Sequence, residues 1–306
     1  MKKPLVTAIV STYNASRFMQ GCLEDLLAQS IASEIEIIVI DSGSQQNEGE
    51  ICATFAKTNN NIRYFRTERE GLYEAWNRAI GLAQGKYLTN ANTDDRHRRD
   101  AFERLVSELE NAPDVVLAYG DQLISKIENE KFDDCAKRQS NTFPLPDFSY
   151  CELMLGCITG SQPMWRKSAH NEHGLFDCKY RIAADYEFWL RISQTARFKR
   201  VAEPIGVFYR SRDTMSGSNN KWPCDLETLE IQLKYLEREP WRNEKALRKK
   251  LAQSMFLKGY HYVEIEQALQ KASPFLFQAW KLDPLNLALA RTFVFRGLFR
   301  RTWFLT

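Results

Sequence analysis

The sequence predicts an α/β protein: a mixed, mostly parallel sheet flanked by helices, followed by a helical C-terminal extension. Two observations carry that expectation. Over roughly the first two-thirds of the 306 residues, apolar strand-like runs alternate with segments of helical periodicity, the pattern of a parallel sheet covered on both faces. After Ser216-Gly217-Ser218-Asn219-Asn220, a linker composition, the strand runs cease and only helical periodicity remains. The expected division is therefore a domain over 1–217 and a helical extension over 218–306.

Leu5 to Val10 form the first buried-strand run, which ends in Ser11-Thr12-Tyr13-Asn14. Phe18, Met19, Cys22, Leu23, Leu26 and Leu27 follow at helical spacing, and so mark one apolar face. Ile35 to Ile40 is a second strand, almost continuously β-branched, and it stops at Asp41-Ser42-Gly43-Ser44. Ile62 to Arg66 reads as a third. A helix then places Leu72, Ala75, Trp76, Ala79, Ile80 and Ala83 on one face, leaves Asn77 off that stripe, and is expected to end at Gly85. Tyr87 and Leu88 resume a strand that runs into Asn90-Ala91-Asn92-Thr93-Asp94-Asp95. In sheets of this kind ligands gather at the carboxyl ends of the strands. Both STYN and DSGS sit there, small and polar enough to offer hydroxyls, a carboxylate and backbone N–H groups to a nucleotide.

Asp94-Asp95 admits two readings. One is a cap for the helix that starts near Asp100. The other is a site for a divalent cation, because hard cations take oxygen ligands and leave positions open for phosphate, whose charge they neutralise. A second acidic segment, Ala183-Ala184-Asp185-Tyr186-Glu187-Phe188-Trp189-Leu190-Arg191, suggests a core helix with Asp185 at its N-terminal end. Here too the choice lies between a helix cap and a carboxylate that takes a proton from a hydroxyl.

The order STYN, DSGS, EGLYEAWNRAI, GKY, NTDD and RIAADYEFWLR resembles the family 2 glycosyltransferases with the GT-A, Rossmann-like fold. It is most similar to bacterial surface-polysaccharide members with a G-[IL]-Y-[DE]-A-x-N segment before N-x-D-D. The resemblance covers about residues 3–217. It implies that Thr12, Tyr13 and Asp41 contact the base and ribose of a nucleotide-sugar, that Asn77 lies near the nucleotide, and that Asp94 reaches the ribose or diphosphate. It further implies that Asp95 binds Mn²⁺ or Mg²⁺ and that Asp185 is the catalytic base. The expected reaction is metal-dependent, inverting transfer of a single sugar to a hydroxyl acceptor, such as a glycan or lipid-linked intermediate in polysaccharide biosynthesis.

This chain departs from the family pattern in places. Gln45-Gln46 stand where the family usually has Thr-Asp, and Ser161-Gln162 stand where many relatives have His-Gln. The QxxRW block of processive synthases is missing after Asp185, which favours single addition. Two rivals remain. A nucleotidyltransferase shares the sheet and acidic site but usually shows a G-x-G-T-R-L loop, where this chain has STYNASRF. A non-catalytic glycan-binding or scaffold protein would be expected to have lost one of Asp41, Asp95 or Asp185.

Other features exclude or stay bland. A net charge of +3 is too small to argue for a nucleic-acid partner. Seven cysteines without a CxxC pair are expected to be reduced thiols. Leu5–Val10 is too short for a signal-peptide core, and no window reaches the length of a membrane span; a cytoplasmic protein is expected. His170-Asn171-Glu172-His173 is read as a surface loop, Arg96–Arg99 as the solvated start of a helix with a phosphate-holding run as the alternative, and Asp133-Asp134 as a loop. Asn141–Pro146 is read as a turn-rich acceptor-side loop.

In the extension, helices are expected around Leu226–Leu236, over Glu244 to about Leu257, and over Tyr260–Leu269. Ala279–Asn286 is faintly like a tetratricopeptide junction, but a single copy makes no repeat. From Pro284 to Thr306 there is no acidic residue, and Arg291, Arg296, Arg300 and Arg301 interleave with Phe293, Phe295, Phe299, Trp303 and Phe304. Peripheral membrane contact, a partner interface and simple packing are all open for this tail, since the arginines spread around an ideal helix rather than forming one face.

Overall fold

The computed structural model describes residues 3–138, 142–212, 214, 217–238 and 241–286. The chain divides into two compact units. One takes in the chain up to Glu152 together with Cys157–Asn220; the other takes in Leu153–Gly156 and the chain from Lys221 onward.

In the first unit the order is β1 (Val6–Thr12), α1 (Ser16–Leu27), β2 (Ile35–Asp41), α2 (Glu48–Ala56), β3 (Ile62–Arg66), α3 (Leu72–Leu82) and β4 (Tyr87–Asn90). Then come β5 (Arg96–His97), α4 (Ala101–Asn111), β6 (Val115–Ser125), α5 (Phe132–Lys137), β7 (Thr142–Phe143) and α6 (Tyr150–Leu155), which passes into the second unit at Leu153. β8 (Met164–Arg166), α7 (Ala169–His173), α8 (Ala184–Ile192) and β9 (Arg197–Tyr209) complete it. The sheet order is β3-β2-β1-β4-β8-β6-β9-β5, with β7 paired to β6. The first four strands are parallel, β8 runs antiparallel to β4 and β6, and β6 and β9 are parallel.

Alternation along the strands sends side chains to both faces. Val6, Ala8 and Val10 join Ile37 and Val39 in a core with Met19, Leu23 and Leu26 of α1. Ile9, Ile38 and Ile40 are equally buried, on the side where α3 packs against β1 and β2. Each such side chain contributes about 1.5–3 kcal/mol on burial. That offsets the cost of the polar residues buried at the strand ends, Thr12, Asp41 and Asp95.

Several local expectations change. Gly85 does not cap α3, which stops at Leu82. A Cβ there would lie 2.6 Å from the Thr7 nitrogen, so glycine lets the chain pass tightly against β1, where Gly85 N–H donates to Thr7 Oγ1 and Glu36 Oε1. Asp133-Asp134 lies in the first turn of α5, where acidic side chains favour the helix dipole. Within the turn-rich stretch, Thr142–Phe143 pairs with β6 instead of forming a loop, and Asn141 lies outside the described residues.

His170–His173 is not a surface loop but part of α7, and His170 is buried. Its Nε2 accepts from the Trp165 indole (2.9 Å), its Nδ1 meets the Gly174 carbonyl, and its ring stacks on Phe188. Burial holds its pKa down at about 4. The Arg96–Arg99 run is not a solvated helix start either. Arg96 and His97 form β5, buried, and Arg96 makes a two-pronged pair with Asp25 at 2.6 Å.

The second unit is helical: α9 (Lys221–Leu236), α10 (Lys245–Glu264) and α11 (Leu269–Leu282). The two helices expected over 244–269 are one, α10. The break expected near Leu257 is absent because Gly259 faces α11, where a Cβ would lie 2.7 Å from Leu276. Helix propensity lost at that glycine is regained as close helix–helix packing. The chain turns instead at 265–268, with Gln267 at φ 50°. No described helix is long and apolar enough to cross a membrane, and none of the seven cysteines is in a disulfide. The Arg/aromatic tail from 287 onward lies outside the described residues.

Candidate active site

Parallel pairing sets Thr12 beside Asp41, and Asp41 beside Arg66, at the carboxyl ends of β1, β2 and β3. Asp41 is fully buried. Its Oδ1 accepts from the Ser44 N–H (2.7 Å), and its Oδ2 accepts from the Tyr64 hydroxyl (2.5 Å) and from Arg66 Nη1 (3.0 Å). Burial alone would raise its pKa; the bonds from Tyr64 and Ser44, with the Arg66 charge, more than offset it and hold the carboxyl below its usual range. The structure thus brings two residues to this site that the strand pattern does not flag, Tyr64 and Arg66.

The STYN segment divides its work. Ser11 Oγ accepts from the Trp76 indole (3.2 Å) and is structural. Thr12 Oγ1 is buried with no hydrogen-bond partner, an orphan hydroxyl at a strand end. Tyr13 is 40% exposed, with the Arg69 guanidinium 3.7 Å from its ring centre. Asn14 takes φ 50° and its Oδ1 accepts from the Gln45 N–H. Gln46 Oε1 takes both the N–H and hydroxyl of Ser16 at the start of α1. At Gln46 the departure from the family pattern thus ties the DSGS loop to the start of α1, whereas the Gln45 bond is made by its backbone and does not depend on the side chain.

Beyond the end of β4, directly before β5, Asp95 is 1% exposed. Its Oδ1 accepts from the Tyr209 N–H (3.0 Å) and its Oδ2 from the Asn92 amide (3.1 Å). Asp94 beside it is only partly buried. Burial raises the pKa of both; Asp94's charge adds to the rise at Asp95, while Arg17 partly relieves Asp94. Ser161 belongs to this edge, since its carbonyl accepts from the amides of Asn90 (2.7 Å) and Asn92. Among the described residues no three His, Cys, Asp or Glu side chains converge on a metal position. Mg²⁺ and Mn²⁺ nevertheless bind through one or two carboxylates and complete their shells with phosphate and water, so an adjacent acidic pair is a fitting donor set.

Asp185 lies in the first turn of α8, after Ala183 as N-cap, so it is not the cap itself. Its Oδ1 accepts from its neighbour's Tyr186 N–H (2.7 Å) and lies 2.9 Å from the Tyr73 hydroxyl of α3. That hydroxyl is also 2.8 Å from the Ile182 carbonyl. Burial, then the Asp185 charge, push the Tyr73 pKa well above 10. Tyr73 packs against Trp76 and Phe176 in an aromatic cluster that continues through Phe188 and Trp189. Glu187 is committed elsewhere, paired with Arg191 at 2.7 Å.

The Asn77 side chain turns toward 176–178. Its Oδ1 accepts from the Phe176 N–H (3.0 Å), and its Nδ2 donates to the Phe176 carbonyl (2.9 Å). The structure gives it a backbone-clamping place at Phe176, eight residues ahead of the start of α8.

Comparison with known proteins sets this site in a family. The model of glycosyl transferase family 2 matches residues 7–172, just over half of the chain. An uncharacterised glycosyltransferase of Haemophilus influenzae is 28% identical over 227 residues, 70% of this chain and 68% of that protein. Glycosyltransferase GlyG of Streptococcus pneumoniae is 35% identical over 115 residues, 37% of this chain and 38% of GlyG. The chondroitin synthase of Pasteurella multocida is 24% identical over 198 residues, 65% of this chain. The chain spans about two-fifths of GlyG and a fifth of the chondroitin synthase.

Among solved structures, S. aureus TarS 1–349 superposes with a TM-score of 0.67 at 14% identity, over 92% of this chain and 83% of TarS. The mannosyltransferase PcManGT from Pyrobaculum calidifontis, in complex with GDP-Man and Mn²⁺, gives 0.65 at 18% identity over 99% and 84%. These likenesses support the fold, and the family model carries the assignment: the chain is a GT-A glycosyltransferase that belongs to glycosyl transferase family 2.

Proposed function

We propose that this glycosyltransferase moves a single sugar from a nucleotide diphosphate sugar to a hydroxyl acceptor, with inversion at the anomeric carbon. The observation that carries this reading is Thr12 and Asp41 in register at the carboxyl ends of β1 and β2, with Asp94-Asp95 in the turn that follows the neighbouring parallel strand β4. Asp41, held ionised by Tyr64, Ser44 and Arg66, is suited to accept N–H or O–H groups of a base or ribose, and the exposed Tyr13 ring offers a face for stacking. Asp94 and Asp95 would hold Mn²⁺ or Mg²⁺. Asp95 is anchored by Tyr209 and Asn92, and the more exposed Asp94 is the member better placed to meet the ligand or diphosphate directly. When bound, such an ion neutralises charge on the departing diphosphate.

Asp185 serves as the base. The acceptor oxygen attacks the anomeric carbon as its proton passes to the Asp185 carboxylate, and the bond to the diphosphate oxygen breaks with its electron pair on the diphosphate. Attack opposite the leaving group inverts the centre. The neighbours support the donor class: TarS has been solved with UDP and with UDP-GlcNAc, and PcManGT with GDP-Man and Mn²⁺. Chondroitin synthases among the relatives favour a glycan acceptor in polysaccharide synthesis, and a lipid-linked glycan fits the same chemistry. The acid-free Arg/aromatic sequence after Pro284 supports peripheral contact with anionic membrane, on its cytoplasmic side.

A thermal-shift screen of UDP- and GDP-sugars with and without Mn²⁺ tests the reading. A true donor at a hundred times its Kd should stabilise the protein by about 2.7 kcal/mol, with a larger shift when Mn²⁺ is present. A flat response to every nucleotide sugar would contradict it. Liposome co-sedimentation of the full chain and of a chain lacking 287–306 tests the tail; equal binding removes the membrane role.

A further inference from the structure

The Tyr73 hydroxyl sits between two acceptors, Asp185 Oδ1 at 2.9 Å and the Ile182 carbonyl at 2.8 Å. It reaches across from α3, 112 residues earlier in the chain. The ring is 2% exposed and wedged edge-on against Trp76 and tilted against Phe176. A phenol fixed this firmly has one proton to give, and two places to give it.

We infer that Tyr73 is a positioning residue for Asp185, setting the rotamer and the basicity of the carboxylate through the hydrogen bond to Oδ1. This rests on Asp185 being the base. While Asp185 is ionised, the phenol O–H donates to Oδ1, a charge-assisted bond that stabilises the anion and lowers its proton affinity. When Asp185 has taken the acceptor's proton, that bond weakens, and the same O–H turns to the Ile182 carbonyl. No buried donor is left without a partner in either state, so the carboxylate can load and unload its proton without disturbing the aromatic cluster behind it. Asn77 works on the same region from the next turn of α3, clamping the Phe176 peptide. One helix thereby holds the base-bearing side of the site at two points.

Tyr73→Phe in the full chain removes the hydroxyl and keeps the ring. The readout is the pH profile of kcat and KM for hydrolysis of whichever nucleotide sugar stabilises the protein most, with water as acceptor. Loss of the bond should raise the pKa of Asp185, so the acid limb of kcat moves up by about one pH unit. On its plateau kcat should fall roughly tenfold as the carboxylate loses its fixed rotamer, with donor KM within about twofold of wild type. Trp76→Phe, which loosens the same cluster without touching Asp185, controls for packing and should leave the limb where it is; thermal melting of both variants reports their folding. An acid limb unmoved in Tyr73→Phe, or moved as far by Trp76→Phe, overturns the inference. If Asp185→Asn itself hydrolyses at the wild-type rate, the base assignment fails instead.

Discussion

The two sides of the candidate site are built by different means. On the proposed donor side the groups are neighbours in register, Thr12 beside Asp41 and Asp41 beside Arg66, delivered by parallel strand pairing. On the other side Asp185 lies in the first turn of a helix and is met by the α3 side chain of Tyr73, 112 residues away. The first arrangement is fixed by backbone hydrogen bonds and tolerates side-chain change; the second depends on single side chains. Donor recognition should therefore be robust to most substitutions outside the acidic residues, while the chemical step should be sensitive to residues that touch no substrate.

The largest expected effect falls on the acidic pair. Asp94→Ala and Asp95→Ala should each lower kcat/KM on the order of 10³-fold, the scale of losing several kcal/mol of charge stabilisation, and should abolish the Mn²⁺ dependence of donor binding by calorimetry. Asp95→Ala should also lower the melting temperature, because it strands the buried Tyr209 N–H, whereas Asp94→Ala should not. Arg66→Ala removes the cation beside Asp41. Its side chain is half-exposed, so solvent screening limits the loss; donor affinity should fall about three- to tenfold with kcat preserved once donor saturates. Asn77→Ala is its counterpart on the other side, costing about 1–3 kcal/mol of stability for the unpaired Phe176 peptide and lowering kcat more than it raises donor KM. If Asn77→Ala changed only donor affinity, the division of the site into two sides would be wrong and the nucleotide contact expected from the family resemblance would be right.

The smallest effect concerns pH. His170 has a folded pKa of about 4 against 6.5 for an ordinary histidine, because burial disfavours its charge. The unfolded chain thus binds a proton that the folded chain refuses. The contribution of His170 to stability is complete above pH 6.5 and is lost as pH falls toward 4. Melting temperatures between pH 7 and 4 should decline less steeply in His170→Gln, whose amide can still accept from Trp165 and donate to Gly174. An equal decline would place the acid sensitivity elsewhere, with buried His97, also held near 4, the first candidate.

What could be read from the sequence follows the same division. The strand runs of β1, β2 and β4, and the polar blocks that close them, are local signals: an apolar run stops where a hydroxyl or carboxylate begins. The same holds for the α8 segment and for the change to helices after the Ser-Gly-Asn linker. Arg96-His97 misleads because a run of basic residues resembles a solvated face; Asp25, 71 residues away, with the Asn129 carbonyl, makes burial of Arg96 tolerable. His170 misleads for a similar reason, as its two ring nitrogens are satisfied by Trp165 and Gly174 in a cluster no local pattern announces. Tyr64, Arg66 and Tyr209 have no motif of their own, and Tyr73, though it stands in the Gly71-Leu72-Tyr73-Glu74-Ala75 segment, is not marked there as a partner of Asp185. Each matters through long-range hydrogen bonds, which a single sequence does not display.

The central claim, that Asp185 does chemistry while Asp41 and Asp94-Asp95 hold the donor, is tested most directly by Asp185→Asn. The substitution keeps size and hydrogen bonding but removes a group able to take a proton at neutral pH. Turnover and donor affinity should be measured on the same protein, the first by transfer or donor hydrolysis and the second by calorimetry with Mn²⁺. Turnover should fall by roughly 10²-fold or more with donor affinity essentially unchanged. Near-wild-type turnover, or a loss of donor affinity as large as the loss of rate, would contradict the claim.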